Sequence, residues 1–347
     1  MTTHRDHFVV AFTREELISR LRTLTSNLPD ELVKKSLKLK DTRDWSFKEA
    51  REKARKDSLD KLEKKIIPYA YRPFDDRFIC YEPYFIDRDR YKIMRHLKDK
   101  ENLALVATKR VLSKNFSHSF ITKHVCDKHF ISDQDYVFPL YLYPEESEDE
   151  KEQQMFKEHT TMQRTSNFKQ DFLHALKKAL SAEPSPEEIF YYIYAILYCP
   201  IYRKLYNEFL KIDFPRIPLP PDQETFHKLS SSGEELIKVH LLRHPALKQS
   251  NVGFPQKGDN EVKKVFYDDQ NHRVYINQVQ YFDGIPEEVW EYRIGSYRVM
   301  EKYLKERKGR KLTLEEVNHY IKMAKAISLT IEIQNKIDQI YRKAYKK

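Results

Sequence analysis

Residues 71–97, "YRPFDDRFICYEPYFIDRDRYKIMRHL", set four aspartates among arginines, tyrosines and phenylalanines. Two chemistries use such a mixture. Asp75, Asp76, Asp87 and Asp89 could seat a divalent ion for phosphodiester cleavage. Alternatively, Arg72, Arg77, Arg88, Arg90 and Lys92 could form a basic, aromatic surface for a polyanion, with most contacts to phosphate and fewer to base edges. The order of residues disfavours the ion. Glu63-Lys64-Lys65 loosely imitates a nuclease carboxylate–lysine pair but falls in a charged helical stretch. Asp87 and Asp89 alternate with Arg88 and Arg90, which are expected to neutralise them as surface pairs. His118, His124 and His129 lie within twelve residues, yet lack the spacing and supporting carboxylates of a metal site. Histidines on a basic face would instead donate to phosphate or base edges. A Ser/His/Asp or Cys/His nucleophile can be assembled from many pairs, so none is singled out.

Charge extends the polyanion reading beyond this stretch. The formal net charge is +10, gathered in two blocks. Residues 86–130 hold 11 Lys/Arg against 5 Asp/Glu, and residues 293–347 hold 15 against 6. Neutralising phosphates with such clusters releases counterions and drives binding. Three segments interleave cations with planar or hydroxyl-bearing residues: "RDRYKIMRHL" (88–97), "TKRVLSKNFSH" (108–118) and "IGSYRVMEKYLKERKGRK" (294–311). The candidate contacts are Arg72, Arg77, Arg88, Arg90, Lys92, Lys109, Arg110, Lys114 and His118, joined by Arg293, Ser296, Tyr297 and Arg298. Arg72 and Arg77 have a second reading, as buried partners of Asp75 or Asp76 that hold the YRPFD turn.

Glycine excludes whole function classes. There are six, the first at Gly233, and backbones that cradle a phosphate or cofactor need glycine for tight turns and close approach. No P-loop, dinucleotide fingerprint or methyl-donor loop fits before residue 233, and the later glycines are too scattered. No nucleotide cofactor is therefore expected in this chain. Cys80, Cys126 and Cys199 form no CxxC pair, which fits a reducing cytoplasm. The start lacks a signal-peptide pattern, and no apolar run reaches the length of a membrane span.

The elements that must position these residues are mixed. Residues 7–12 read as a short strand, and Thr13 with Glu16 makes a capping box for a helix to about Leu28. Residues 45–66 are a charged helical stretch. Short aromatic and β-branched strands follow at 78–81, 102–107, 116–122 and 136–143. "EESEDEKE" at 145–152 reads as a solvated linker. Helices then begin near 168, at Pro186 and at 222, and the aromatic density of "EEIFYYIYAILYC" (187–199) is simplest as core. Residues 262–282 suggest a hairpin, and short helices at 286–292 and 296–307 precede a long one capped by Thr313 and Glu316. The expectation is a mixed α/β (α+β) protein: a connector over 1–66, an irregular β-rich recognition module over 67–145, an acidic linker over 146–166, and a mainly helical part over 167–347 with one hairpin.

The ordered set "THRDHFVVAFTREEL" (3–17), "YAYRPFDDRFICY" (69–81), "NFSHSFITKHVCD" (115–127), "YVFPLYLY" (136–143), "FYYIYAILYCPIYRKLYNEFLKIDFPRIPLP" (190–220) and "VYINQVQYFDGIPEEVWEYRIGSYRVMEKYLKERKGRKLTLEE" (274–316) resembles the C-terminal region of single-chain restriction–modification enzymes. These are the type ISP and related type IIG proteins and their adenine-specific DNA methyltransferase relatives. The resemblance implies a target recognition (specificity) domain that reads double-stranded DNA for a methyltransferase module on the same or a partner chain. Residues 3–17 resemble the tail of that module. Its Asn-Pro-Pro-Tyr type motif and glycine-bearing methyl-donor site are missing, since the one Pro-Pro pair, in "LPPD", lacks the flanking Asn and aromatic. S-adenosylmethionine and Mg²⁺ would then belong to modules outside this chain, a cut-out domain or a separate specificity subunit. Two other readings remain: a metal-dependent nuclease, and a module that docks methyltransferase to nuclease parts.

Overall fold

A computed structural model describes residues 1–145 and 164–345. Its backbone divides into two units, one of residues 1–102 with 122–133 and one of residues 103–121 with 134 onward. The stretch 67–145 thus contributes to both. Of the linker at 146–166, all but residues 164–166 lies outside the described residues.

The first unit is built on a four-stranded sheet. Strand Ile66–Arg72 pairs antiparallel with Asp75–Cys80, whose other edge takes the short strand Val10–Ala11. Val125–Cys126 joins the far edge in parallel. The register shifts between Ala70 and Arg72, a bulge of the kind that re-aims side chains, and Phe74 closes the turn at φ 62°. Residues 7–12 differ from the expected strand. Backbone N–H groups of Phe8 and Val9 donate to the Arg5 carbonyl, so Asp6–Val9 is a helical turn and only Val10–Ala11 is strand. Helix Arg14–Thr25 buries Leu17, Leu21 and Leu24 at helical spacing. Thr13 accepts from the Glu16 N–H, while the Glu16 carboxylate accepts from Phe12 rather than from Thr13. The charged stretch breaks at Ser58, with φ 62°, into helices Phe47–Asp57 and Leu59–Lys64. Buried Arg51 donates to the carbonyls of Leu24, Ser26 and Leu28, which satisfies the end of helix Arg14–Thr25.

In the second unit, Ala104–Thr108 is the central strand of three, flanked by Ser119–Thr122 and by antiparallel Asp135–Pro139. Helix Pro186–Tyr198 starts with a capping box of Ser185 and Glu188 and packs on Gln223–His240. Gly233 lets the two helices touch: a Cβ there would sit 1.9 Å from the Tyr191 carbonyl oxygen. The 31-residue helix Leu314–Ala344 carries a second capping box, Thr313 with Glu316. The aromatic run is core, with Tyr192, Tyr194, Tyr198 and Tyr202 all buried. His240 ties three helices. The Thr330 hydroxyl donates to the Ala326 carbonyl and so accepts from His240 Nε2 at 3.0 Å, leaving Nδ1 to accept from Tyr194 at 2.6 Å. Burial, aided by the charge of Arg203, lowers the pKa of His240 to about 3.

The hairpin expected at 262–282 is a meander of three short strands, Phe266–Asp268, Arg273–Tyr275 and Tyr281–Asp283. The run "RVYINQVQYF" does not continue as one strand. Asn277 Oδ1 accepts from the backbone of Val279 and Gln280 and reverses the chain there. A further two-residue hairpin pairs Arg293–Ile294 with Tyr297–Arg298 across Gly295, whose φ is 60°.

Candidate nucleic-acid interface

The candidate cations fall into an inward and an outward class. In the first unit Arg77 is buried and donates twice to Asp75 Oδ2, at 2.8 and 3.2 Å. Its guanidinium lies between Phe12 and Tyr71, at 4.2 and 3.7 Å from the ring centroids. Arg72 stacks on Tyr71 at 4.1 Å and pairs with Asp127 at 3.3 Å. Asp127 also accepts from the Tyr69 hydroxyl at 2.9 Å. Both arginines therefore brace the YRPFD turn and its sheet. For Arg77 the partner is Asp75, as the second reading has it. For Arg72 the partner is Asp127, 55 residues along the chain, which no local pattern indicates.

The four aspartates of the opening stretch go to separate partners. Asp75 holds Arg77, Asp76 lies 3.9 Å from His124, and Asp89 accepts from the Tyr91 N–H. Asp87 pairs with Arg5 and His4 rather than with Arg88. The expected Asp87–Arg88 neutralisation is replaced because the Arg88 backbone bridges to Thr2, which brings residues 4 and 5 alongside. Among the described residues no three His, Cys, Asp or Glu side chains gather to hold a metal ion. Arg88, Arg90 and Lys92 are exposed, Arg90 in the left-handed conformation that starts the turn Tyr91–Met94.

In the second unit, the strand Ala104–Thr108 runs into a loop, "KRVLSKNFS" at 109–117, pinned along its length. The Val111 N–H donates to the Lys211 carbonyl at 3.0 Å. Asn207 grips the other arm: its Oδ1 accepts from Phe116 N–H at 3.2 Å and its Nδ2 donates to the Lys114 carbonyl at 3.1 Å. Val111 and Phe116 are buried, whereas Lys109, Arg110 and Lys114 are exposed. Lys109 lies 3.8 Å from Asp213, a pair open enough to water to count for little. The 293–298 hairpin is sewn to the same loop. Gly295 N–H donates to the Ser117 carbonyl at 2.8 Å and Ser117 Oγ donates to the Gly295 carbonyl at 3.2 Å. Arg293 and Ser296 are exposed on that hairpin, with Arg293 donating to the Ser296 carbonyl. The loop and the hairpin, over 170 residues apart in sequence, thus present cations together.

His118 is not on this face. It is buried, and its Nδ1 accepts from the Ser117 N–H at 3.3 Å. Burial, with Arg203 contributing, lowers its pKa to about 4, so a neutral ring holds the stem of the loop. Arg298 is likewise a scaffold residue, pairing with Glu291 at 2.8 Å and Glu301 at 3.7 Å beside Trp290. Tyr297 is half-buried under Lys302. Sequence reasoning missed Asn207, which pins the loop at 109–117, and Asp127, which holds Arg72. Neither has a signal in the local pattern.

A family model described as the type ISP C-terminal specificity domain matches residues 1–336. Among solved structures, the chain is similar to the ATP-dependent type ISP restriction-modification enzyme LlaBIII bound to DNA, with a TM-score of 0.70 and 19% identity, covering 97% of this chain and 22% of that one. It is similar to DrdV in its DNA complex, with a TM-score of 0.69 and 21% identity over 96% of this chain and 35% of that one. A nuclease-deletion mutant of the type ISP enzyme LlaGI with a DNA substrate mimic gives 0.62 and 19%, covering 97% and 27%. At these identities the likeness is one of fold, and the chain spans only 22 to 35% of those enzymes. No curated protein matches it.

Proposed function

The chain belongs to the type ISP C-terminal specificity domain family, and we propose that it reads a double-stranded DNA target for a methyltransferase module on the same or a partner chain. The observation that carries this reading is the pinned loop 109–117, which holds Lys109, Arg110 and Lys114 outward beside the Arg293–Ser296 turn. Cations on a fixed frame set register against phosphates, and the minority that reach base edges carry sequence preference. Arg88, Arg90 and Lys92 make the corresponding contribution from the first unit. His118, Tyr297 and Arg298 support the loop and hairpin from within, and Arg72 and Arg77 brace the sheet of the first unit. The chain itself performs no reaction. Adenine methylation works on a base turned out of the stack, and that step, with S-adenosylmethionine, belongs to the methyltransferase module, as Mg²⁺-dependent cleavage belongs to a nuclease module. The setting is the cytoplasm.

Selection of duplexes from a random pool, followed by anisotropy titrations across salt, tests the reading. The expected result is an enriched sequence, bound more tightly than its scramble, with log affinity falling linearly against log salt. Equal, salt-indifferent binding of all duplexes would overturn it.

One feature favours docking as an added role. Leu205, Phe209 and Ile212 are 65, 69 and 66% exposed along the helices at 200–212, an apolar face suited to the methyltransferase module. Phe209→Glu should then weaken capture of that module and leave duplex affinity unchanged.

A further inference from the structure

Leu112 is 99% exposed at the tip of the pinned loop. A solitary exposed leucine is ordinary on a protein surface. This one differs in how it is presented. Its neighbour Val111 is anchored in the core and by main chain to Lys211. Two residues on, Asn207 fixes Lys114, and the Ser113 hydroxyl donates to the Asn115 carbonyl at 2.8 Å. An apolar side chain is thus held out on a short, well-tied loop, with cations at 109, 110 and 114 on both sides of it.

We propose that Leu112 is a wedge that enters a groove of the duplex and inserts between adjacent base pairs while Lys109, Arg110 and Lys114 grip the flanking phosphates. The inference rests on the DNA-reading function above and adds a specificity-determining residue to it. Apolar wedges of this type partly unstack a base step and kink the duplex. Because the cost of unstacking depends on the step, with pyrimidine–purine steps the easiest to open, the wedge supplies sequence preference without a hydrogen bond to any base. The loop's ties matter to this. A side chain whose backbone is already ordered loses little further freedom on insertion.

The test uses the whole chain and the selected duplex with 2-aminopurine scanned through it one base at a time. With residues 1–347 tested apart from any methyltransferase module, wild type should brighten 2-aminopurine at one step, since unstacking relieves quenching and no other module turns a base out. Leu112→Ala should abolish the brightening and lower affinity about tenfold, while the slope against salt stays the same because no phosphate contact is lost. Leu112→Met should retain both. Unfolding midpoints should match wild type, as the side chain is exposed. Wild-type binding without brightening at any position would overturn the wedge and leave the reading function intact. So would an affinity loss in Leu112→Ala confined to duplexes bearing thymine at one position, which marks a methyl contact in the groove. If wild type binds no duplex in a salt-sensitive way, the reading function itself fails.

Discussion

The stretch 71–77 and the loop 109–117 look alike in sequence, each mixing cations with apolar side chains, yet the first buries its cations and the second exposes them. In the first, Arg72 and Arg77 flank the ring of Tyr71 and end on Asp127 and Asp75. In the second, Val111 and Phe116 turn inward, while Leu112 and the cations turn out. The difference lies in the carboxylates within reach. A guanidinium can leave water only where a carboxylate and further hydrogen bonds compensate it, and stacking on aromatic faces adds to this. Around 109–117, the carboxylate of Asp213 pairs with Lys109 at 3.8 Å and is half exposed. Density of positive charge in a sequence therefore says little about a binding face until the partners of each cation are known.

The largest expected effect breaks the inward member. Asp75→Ala leaves Arg77 buried without its charge partner and should cost about 3–5 kcal/mol of folding stability. Urea denaturation reads it directly. A loss under about 1 kcal/mol would mean that Arg77 is hydrated and that the two regions are not so different.

Next comes pH. His118 and His240 have native pKa values lowered to about 4 and about 3, against about 6.5 unfolded. The unfolded chain therefore takes up protons first, and the stability these neutral rings contribute is complete above pH 6.5 and falls as pH drops below it. Each contributes a slope approaching about 1.4 kcal/mol per pH unit, which for His118 ends near pH 4. His118→Gln should flatten the fall measured by urea midpoints between pH 7 and 5. An unchanged slope would place His118 in solvent.

The smallest effects sharpen the outward member. Lys109→Ala, Arg110→Ala and Lys114→Ala should each leave stability within about 0.5 kcal/mol. Each should also reduce the salt slope of duplex binding by about 0.9 if the side chain meets one phosphate. The same change at Arg88, Arg90 or Lys92 ranks the contribution of the first unit.

Much of the helical architecture was legible in the residues. Thr313 with Glu316 is a capping box in both sequence and structure, and the helix expected to begin at Pro186 does so behind a Ser185–Glu188 box. Their reach is three residues, so local chemistry suffices. The aromatic run before Cys199 is core, as its composition suggests. Where the local pattern misled, a non-local contact or a side-chain turn intervened. Ser58 breaks a helix that composition favours, and Asn277 turns a run that alternates like a strand.

What the amino-acid order determined alone was therefore the class of the protein: mixed elements, and cations clustered in three segments. Which of those cations reach solvent was decided only by tertiary structure. Arg72 turns inward because the fold brings Asp127 to it across 55 residues. The loop holding Lys109, Arg110 and Lys114 stays outward because Asn207 and Gly295, distant in sequence, pin its arms. Local propensity acts over a few residues, whereas desolvating a charge depends on every group the fold gathers round it.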